Sequence, residues 1–158
     1  HKMAAGVTLP AENISDLRHC LARNAKVLED RGELAPCLEL DTAALAEEIT
    51  FELMRDLERL RPFGQENPSP LIALERCRLV GEAFEIGGKH LKLRIQSGET
   101  SDQCLTAMWF HYPEPHDEIR ELLHNEPELD IAGTPRLNHW NGRESVEFTI
   151  RDLRPSQG

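Results

Sequence analysis

The stretch KHLKLRI, residues 89–95, places basic side chains at every second position. His90, Lys92 and Arg94 alternate with aliphatic residues, and Lys89 stands directly before them. Successive side chains of a β-strand point to opposite faces, so a strand here would display these cations on one face. Such a row of cations can follow the phosphates of a single nucleic acid strand. A solvated strand face explains the same spacing, and both interpretations stay open.

Aromatic residues that could stack on bases occur at two places further along the chain. Trp109 and Phe110 are neighbours in a predicted strand, so at most one of them can face a ligand. Trp140 precedes the pair Asn141-Gly142, where packing across a hairpin is as reasonable as base stacking. Together with the cations, the predicted nucleic-acid contacts are Lys89, His90, Lys92, Arg94, Trp109, Arg136, Trp140 and Arg143.

The charge balance restricts any such site to a local patch. The 158 residues include 18 Lys and Arg against 28 Asp and Glu, a formal net charge of −10. A general polyanion binder would be basic, so the surface around the site has to be acidic. The acidic residues do not have the grouping of a two-metal nuclease centre, and neither a Gly-rich phosphate loop nor an H-E-x-x-H motif occurs. We therefore predict neither a metal site nor a cofactor in this chain.

Cysteine, histidine and hydropathy patterns are typical of a reduced, soluble chain. The four cysteines lie far apart and form no C-x-x-C pair, which disfavours a disulfide framework and a thiolate metal site. His111 and His116 are close in sequence, but no further ligand pair is near them. No apolar run reaches the length of a membrane helix, and the first residues lack the pattern of a secretory signal. We expect a cytoplasmic protein that does not enter the membrane.

Helical periodicity dominates the first part of the chain. Apolar residues predict one helix over residues 14–31, with Asn13 placed to cap it and Gly32 placed to stop it. Residues 36–41 predict a short strand. A second amphipathic helix is predicted over residues 42–61, directly before a proline.

Beyond residue 70 the hydrophobic period changes from 3.6 to 2. The alternation predicts five strands, with one helix in PHDEIRELLHN between the third and the fourth. Asn141-Gly142 predicts a two-residue hairpin turn between the last two strands. This element order is that of an OB-fold, so we predict an α+β segment followed by an all-β OB-fold, a five-stranded Greek-key barrel. The fold alone does not decide the function, since such barrels also bind sugars and proteins.

The stretch RLRPFGQENPSPL, residues 59–71, lies where the period changes. Its prolines end the preceding helix and keep the exit extended, while Gly64 permits a turn. We expect a stiff joint whose angle is fixed by Phe63 and Asn67. The predicted parts are an α+β domain at residues 1–61, a rigid Pro-rich joint at 62–70 and the OB-fold at 71–155.

Three stretches together resemble the C-terminal half of the RecJ exonucleases, which belong to the DHH phosphoesterase family. HKMAAGVTLP resembles the end of the G-G-H-x-x-A-A-G motif of the DHH-associated domain. The family's L-x-P-F-G-x-x-N-P-x-P segment is similar to LRPFGQENPSPL in this chain. The last segment of the RecJ barrel is similar to LNHWNGRESVEFTIRDLRP. The order and spacing agree over nearly the whole chain. The resemblance implies that residues 1–61 are the tail of a DHH-associated domain.

The resemblance also implies a function. The family hydrolyses single-stranded DNA from 5′ to 3′ in repair and recombination, with Mn²⁺ or Mg²⁺ held by an upstream catalytic domain. His1 matches the motif histidine that helps to hold the substrate phosphate. We expect a fragment without catalytic metal ligands, inactive alone, whose barrel binds single-stranded DNA. In the alternatives, the barrel docks single-stranded-DNA-binding protein or another repair factor, or it braces the catalytic domains.

Overall fold

The computed structural model describes residues 5–32, 37–97 and 103–156. Contacts between residues divide the chain into two units, residues 1–38 and residues 39–158. The helices and strands are α1 (Ile14–Asp30), β1 (Thr42–Ala44), α2 (Phe51–Glu58), β2 (Ile72–Leu79), β3 (Phe84–Ile86), β4 (His90–Gln96), β5 (Leu105–Phe110), α3 (His116–Asn125), β6 (Leu129–Trp140) and β7 (Arg143–Pro155).

Helix α1 is the regular element of the first unit, and it spans the predicted range. Gly32 follows the helix with φ of +71°, a left-handed conformation that glycine adopts without steric penalty. Asn13 does not cap the helix as predicted. Its backbone is already helical at the end of a short 3₁₀ turn, and its side chain makes no capping hydrogen bond. None of the α1 residues is buried within the described part of the chain.

The second unit begins well before the Pro-rich stretch. Strand β1 pairs in parallel with the start of β2 over three residue pairs. The Asp41 N–H donates to the Leu71 carbonyl oxygen at 2.8 Å, and the Leu71 N–H donates to Oδ2 of Asp41 at 2.8 Å. These bonds tie residues 39–61 to the barrel. The division between units therefore lies after residue 38 and not at the predicted joint, residues 62–70.

Two elements in this segment differ from the predicted ones. The short strand predicted at 36–41 lies instead at β1, directly after that range, of which residue 36 is outside the described residues. The helix predicted over 42–61 is confined to α2. Thr50 sets its start, because its backbone is extended and its side-chain oxygen accepts a hydrogen bond from the Leu53 N–H at 3.2 Å.

Residues 60–70, which we call the Pro-rich loop, are folded back on themselves. The side-chain amide of Asn67 donates to the carbonyl oxygens of Leu60 at 2.9 Å and Pro62 at 3.0 Å. The Gly64 N–H donates to the carbonyl oxygen of Asn67 at 2.8 Å. Asn67 thus holds the shape of a loop inside one unit, where the sequence predicted a joint between two.

The strands form one sheet in the order β1-β2-β6-β7-β5-β4-β3, which a further pairing between β2 and β4 closes. The described residues contain seven strands where five were predicted. One reason is β1, and the other is that the first long predicted strand breaks into β2 and β3 near Gly81, where φ is +81°. Helix α3 lies between β5 and β6, as predicted. Asn141 and Gly142 both have positive φ and form the predicted turn between β6 and β7.

An aliphatic core fills the barrel and decides which face of each strand points outward. Gly133 lets β6 lie close to β7, because a Cβ there would clash with the carbonyl oxygen of Thr149 and come within 2.5 Å of Cε1 of Phe148. The side chains exposed by 2% or less include Leu74, Leu91, Leu93, Ile95, Leu129, Ile131 and Phe148.

Candidate nucleic-acid interface

The basic residues of β4 point away from the core. Lys92 and Arg94 are exposed and His90 is half-buried, while the aliphatic residues between them are buried. Strand β3 adds apolar side chains beside them, since Phe84 pairs with Lys92 and Ile86 pairs with His90. Phe84 is 66% exposed. We call this outer surface of β3, β4 and β5 the cationic face.

Of the two neighbouring aromatic residues on β5, Phe110 belongs to this face and Trp109 does not. Trp109 is only 4% exposed and packs in the core with Leu91, its register partner on β4. Phe110 pairs with His90 and is 39% exposed. The prediction of Trp109 as a ligand contact is therefore wrong. Alternation required that one of the two point inward, but it could not say which.

Arg136 on β6 extends the face from the other side. Its guanidinium carbon lies 4.9 Å from the centroid of the Phe110 ring, in cation–π geometry. Its Nη2 donates to Oε2 of Glu147 at 2.7 Å, and Nδ2 of Asn138 donates to Oε1 of the same carboxylate at 3.0 Å. Glu147 is 8% exposed, so it is a buried carboxylate, which is stabilised by an ion pair with Arg136 and a hydrogen bond from Asn138. This role was not predicted from the sequence, although Glu147 alternates with apolar neighbours on β7.

His90 is positioned by the backbone of the next strand. The N–H of His111 donates to Nδ1 of His90 at 3.1 Å. Because Nδ1 accepts this bond, its lone pair is occupied and the ring proton of neutral His90 lies on Nε2. The imidazole meets the Phe110 ring edge-on, with 5.5 Å between centroids. His90 therefore contributes a hydrogen-bond donor to the face even when it is uncharged.

The remaining predicted contacts are less closely joined to the face. Lys89 lies in the turn before β4. Trp140 and Arg143 pair at the far end of the β6–β7 hairpin, and Trp140 is 71% exposed. Among the described residues, Trp140 makes neither an aromatic contact nor a cation–π contact. His1 lies outside the described residues.

On its opposite side, β3 is fastened to α3 through one carboxylate. Oε2 of Glu85 accepts hydrogen bonds from the Tyr112 hydroxyl at 2.5 Å and from Nη2 of Arg120. These two donors hold the pKa of Glu85 below its ordinary value. Burial and the bond to Glu85 raise the pKa of Tyr112. His116 stacks on the Tyr112 ring at 4.0 Å, so its role here is structural.

The described residues contain no group of three or more His, Cys, Asp or Glu side chains that could hold a metal ion. None of the helices in the described ranges is both long and apolar enough to cross a membrane. What the geometry does offer is a surface for binding, with cations and a ring on a rigid sheet.

A closed barrel with a helix between β5 and β6 and a cationic outer face has the architecture of OB domains. Comparison with known proteins agrees. The model of the family described as "RecJ OB domain" matches residues 40–152, and the chain belongs to this family. The matched range begins close to the start of the second unit and includes the Pro-rich loop.

Two relatives carry the name single-stranded-DNA-specific exonuclease RecJ. The protein from Bacillus subtilis is 30% identical over 159 residues, which cover 99% of this chain and 19% of that protein. The protein from Thermus thermophilus is 27% identical over 107 residues, or 65% of this chain and 13% of that protein. The chain therefore spans less than a fifth of the length of these relatives.

Solved structures show the same fold. The crystal structure of Thermus thermophilus RecJ with Mn²⁺ matches with a TM-score of 0.57 and 23% identity, over 87% of this chain and 19% of that one. The structure of the same protein with Mg²⁺ matches with a TM-score of 0.55 and 24% identity, over 77% of this chain and 17% of that one.

Proposed function

We propose that the chain is the C-terminal, non-catalytic part of a RecJ-type 5′ to 3′ exonuclease of DNA repair and recombination. Its barrel binds a single DNA strand and aligns it for hydrolysis elsewhere in the larger protein. Membership of the RecJ OB domain family supports this proposal, as does the name of both relatives. The chain's small share of those relatives leaves ample length for a separate catalytic domain.

One observation carries the binding step, namely that Arg136 lies over Phe110 next to the exposed Lys92 and Arg94. Cations that follow phosphates and a ring that stacks on a base are the two parts of sequence-tolerant single-strand binding. His90 adds a neutral donor between them. A bound DNA strand would thus contact cations, an aromatic ring and a hydrogen-bond donor on one surface of the sheet.

The net charge of −10 is compatible with this proposal because the acidic group under the face is already paired. Glu147 is nearly buried and accepts from Arg136 and Asn138, so little of its charge is available to repel a phosphate. The other acidic residues of the protein would instead weaken phosphate contacts outside the cationic face. Affinity should consequently depend on salt through a small number of phosphates.

The test is a titration of a fluorescently labelled oligothymidine with the protein over a range of salt concentrations. We expect affinity to fall with salt, by about 0.7 in log K per log unit of salt for each phosphate contacted. Lys92→Glu combined with Arg94→Glu should abolish binding. The matched control is Arg23→Glu with Lys26→Glu on α1, an equal change of charge on a helix of the first unit. Equal losses in both double variants would contradict a local site.

The Mn²⁺ or Mg²⁺ ions expected for RecJ-type hydrolysis would be held by the rest of the larger protein. In this proposal the chain contributes strand binding, and the chemical step takes place in the rest of the larger protein. A rigorously purified sample should release no nucleotide from labelled single-stranded DNA with either ion. Metal-dependent release that survives further purification would overturn this part of the proposal.

A structural role toward the larger protein is the second candidate, and helix α1 favours it. Its apolar residues remain exposed, among them Ile14 at 42%, Leu21 at 60% and Val27 at 44%. An amphipathic helix needs a partner for such a stripe. Parent-protein variants with Leu21→Asp should lose stability but keep strand affinity if α1 braces the catalytic domains. In the docking alternative, single-stranded-DNA-binding protein or another repair factor would bind instead, and binding of the labelled oligothymidine would be absent or insensitive to salt.

A further inference from the structure

A groove of about 410 Å³ lies between α2, the Pro-rich loop and the second half of β6. Pairing of β6 with β2 ends at Gly133, and within the described ranges β6 continues beyond it paired with β7 alone. The groove borders the strand along that stretch, residues 134–139. Its volume is within the roughly 300–1,000 Å³ typical of small-molecule sites.

The lining combines an apolar floor with a basic rim. Leu57 and Phe63 contribute to the floor, Arg61 and Arg136 contribute guanidinium groups, and His139 contributes an imidazole. The one acidic group in the lining, Glu58, is already paired with Nε of Arg61 at 2.9 Å. Arg136 and His139 also lie beside carboxylates, with Glu147 at 2.7 Å and Glu144 at 3.2 Å, so the described lining presents guanidinium donors and no unpaired carboxylate. It complements an anionic ligand that has a flat, weakly polar part.

Phe63 is held in place for such a ligand. Asn67 fixes the loop around it through bonds to the carbonyl oxygens of Leu60 and Pro62, which both precede the ring in sequence. The Arg61 guanidinium carbon lies 5.6 Å from the Phe63 ring centroid. A ring with a cation beside it repeats, on the loop, the arrangement of Phe110 and Arg136 on the barrel.

Arg136 belongs to both sites. Its guanidinium lies over Phe110 on the cationic face, and its side chain also lines the groove. Nη2 is bonded to Glu147, but Nε is buried and has no hydrogen-bond partner in the described part of the structure. A buried donor without a partner costs free energy. The two surfaces are therefore continuous through one side chain.

We propose that the groove is a second nucleotide subsite, which receives a base and its phosphate from the single strand that crosses the cationic face. The inference rests on the proposed function, since the same strand has to occupy the face. Phe63 stacks on the base, while Arg61 and Arg136 meet the flanking phosphates. A nucleic acid strand is favoured over a peptide because the groove continues a surface of cations and rings.

The test compares oligothymidines of two lengths in fluorescence anisotropy, one of 6 nucleotides that fills the face and one of 14 that reaches the groove. Phe63→Ala should weaken binding of the longer strand about fivefold or more, the loss of one base stack, and leave the shorter strand unchanged. Phe63→Leu keeps apolar volume without a stacking ring and should behave in the same way. Gln65→Ala, an exposed change in the same loop, is the matched control and should alter neither affinity.

The outcomes separate this inference from the proposed function. If neither strand binds the unaltered protein, the face itself fails. If both strands bind, and Phe63→Leu keeps its unfolding midpoint but does not weaken the longer one, the groove is no nucleotide subsite. Equal weakening of both lengths would also overturn the subsite. If Phe63→Leu weakened binding of a peptide with alternating Asp and Phe but not of the longer strand, the groove would be assigned to a protein partner instead.

Discussion

The carboxylate of Glu147 holds Arg136 in place, with 2.7 Å between Oε2 and Nη2, at the edge of the cationic face. Glu147 is buried and Arg136 is partly exposed, so the carboxylate fixes the position of the guanidinium group. An acidic residue under a DNA-binding surface would otherwise be expected to reduce affinity. For Glu147 we expect the opposite effect, namely that the carboxylate raises the affinity for single-stranded DNA.

Glu147→Gln tests that reversal. Loss of the ion pair should release Arg136 from Phe110 and lower single-strand affinity by about two- to fivefold, comparable to the roughly 0.5–1 kcal/mol of an exposed cation–π contact. Removal of a negative charge alone would raise affinity instead. Asp152→Asn on the same strand makes the same charge change at an exposed site and serves as the control. Anisotropy titrations of both variants decide the sign, and higher affinity for Glu147→Gln would contradict a positioning role.

Glu85 should make stability depend on pH in the acid range. Its hydrogen bonds from Tyr112 and Arg120 hold the pKa of the folded-state carboxyl below the ordinary 4.5. The unfolded chain then binds this proton more readily, so the free energy of unfolding falls as pH falls below that ordinary value. Glu85→Gln should flatten this dependence, measured by urea unfolding at several pH values. Glu66→Gln, an exposed change in the Pro-rich loop, should leave the pH dependence as it was.

Gly133→Ala should be strongly destabilising. The added Cβ would meet the carbonyl oxygen of Thr149 and the ring of Phe148, neither of which can move without shifting β7. Overpacking of this kind costs about 1–3 kcal/mol, occasionally more. Gly64→Ala is the control, because a Cβ there has nothing within 4 Å. Urea denaturation of the two variants should separate them clearly, and similar midpoints would mean that β6 and β7 adjust more freely than their packing indicates.

Cys77 should resist modification while the protein is folded. It is fully buried, and burial together with the charge of Asp130 raises the pKa of its thiol to about 12. The thiolate is the reactive form, so alkylation near pH 8 should be confined to the exposed cysteines. Intact mass after N-ethylmaleimide should show three adducts in the native protein, at Cys20, Cys37 and Cys104, and four in urea. A fourth native adduct would indicate frequent opening of the barrel.

The sequence predicted the barrel better than the segment before it, for a physical reason. Strand β4 was recognisable because its aliphatic residues alternate strictly and one face is buried. The same rule could not choose between Trp109 and Phe110, since the core takes either ring and the register with β4 decides. The helix predicted over 42–61 failed because apolar spacing continues through a 3₁₀ turn, while the start of α2 depends on Thr50.

Long-range pairing explains the misplaced domain boundary. Proline and glycine between two periodic segments indicate a linker, and local composition cannot reveal that Thr42 pairs with Ile72. Glu147 was missed for a similar reason. From the sequence alone, an acidic residue on a strand is interpreted as a solvated side chain. The donors that bind Glu147, Arg136 and Asn138, lie on the neighbouring strand and are known only from the structure.

The pairing of β1 with β2 also decides where this protein can be shortened. Trimming at the Pro-rich loop, which looks like a safe cleavage point, would remove β1 and uncover the backbone edge of Ile72–Leu74. It would also remove the N–H of Ala46, which donates to the hydroxyl of the buried Ser97. An open, apolar strand edge recruits other chains, so the trimmed barrel should self-associate. In this fold the three-residue strand β1 covers that edge and thereby opposes aggregation.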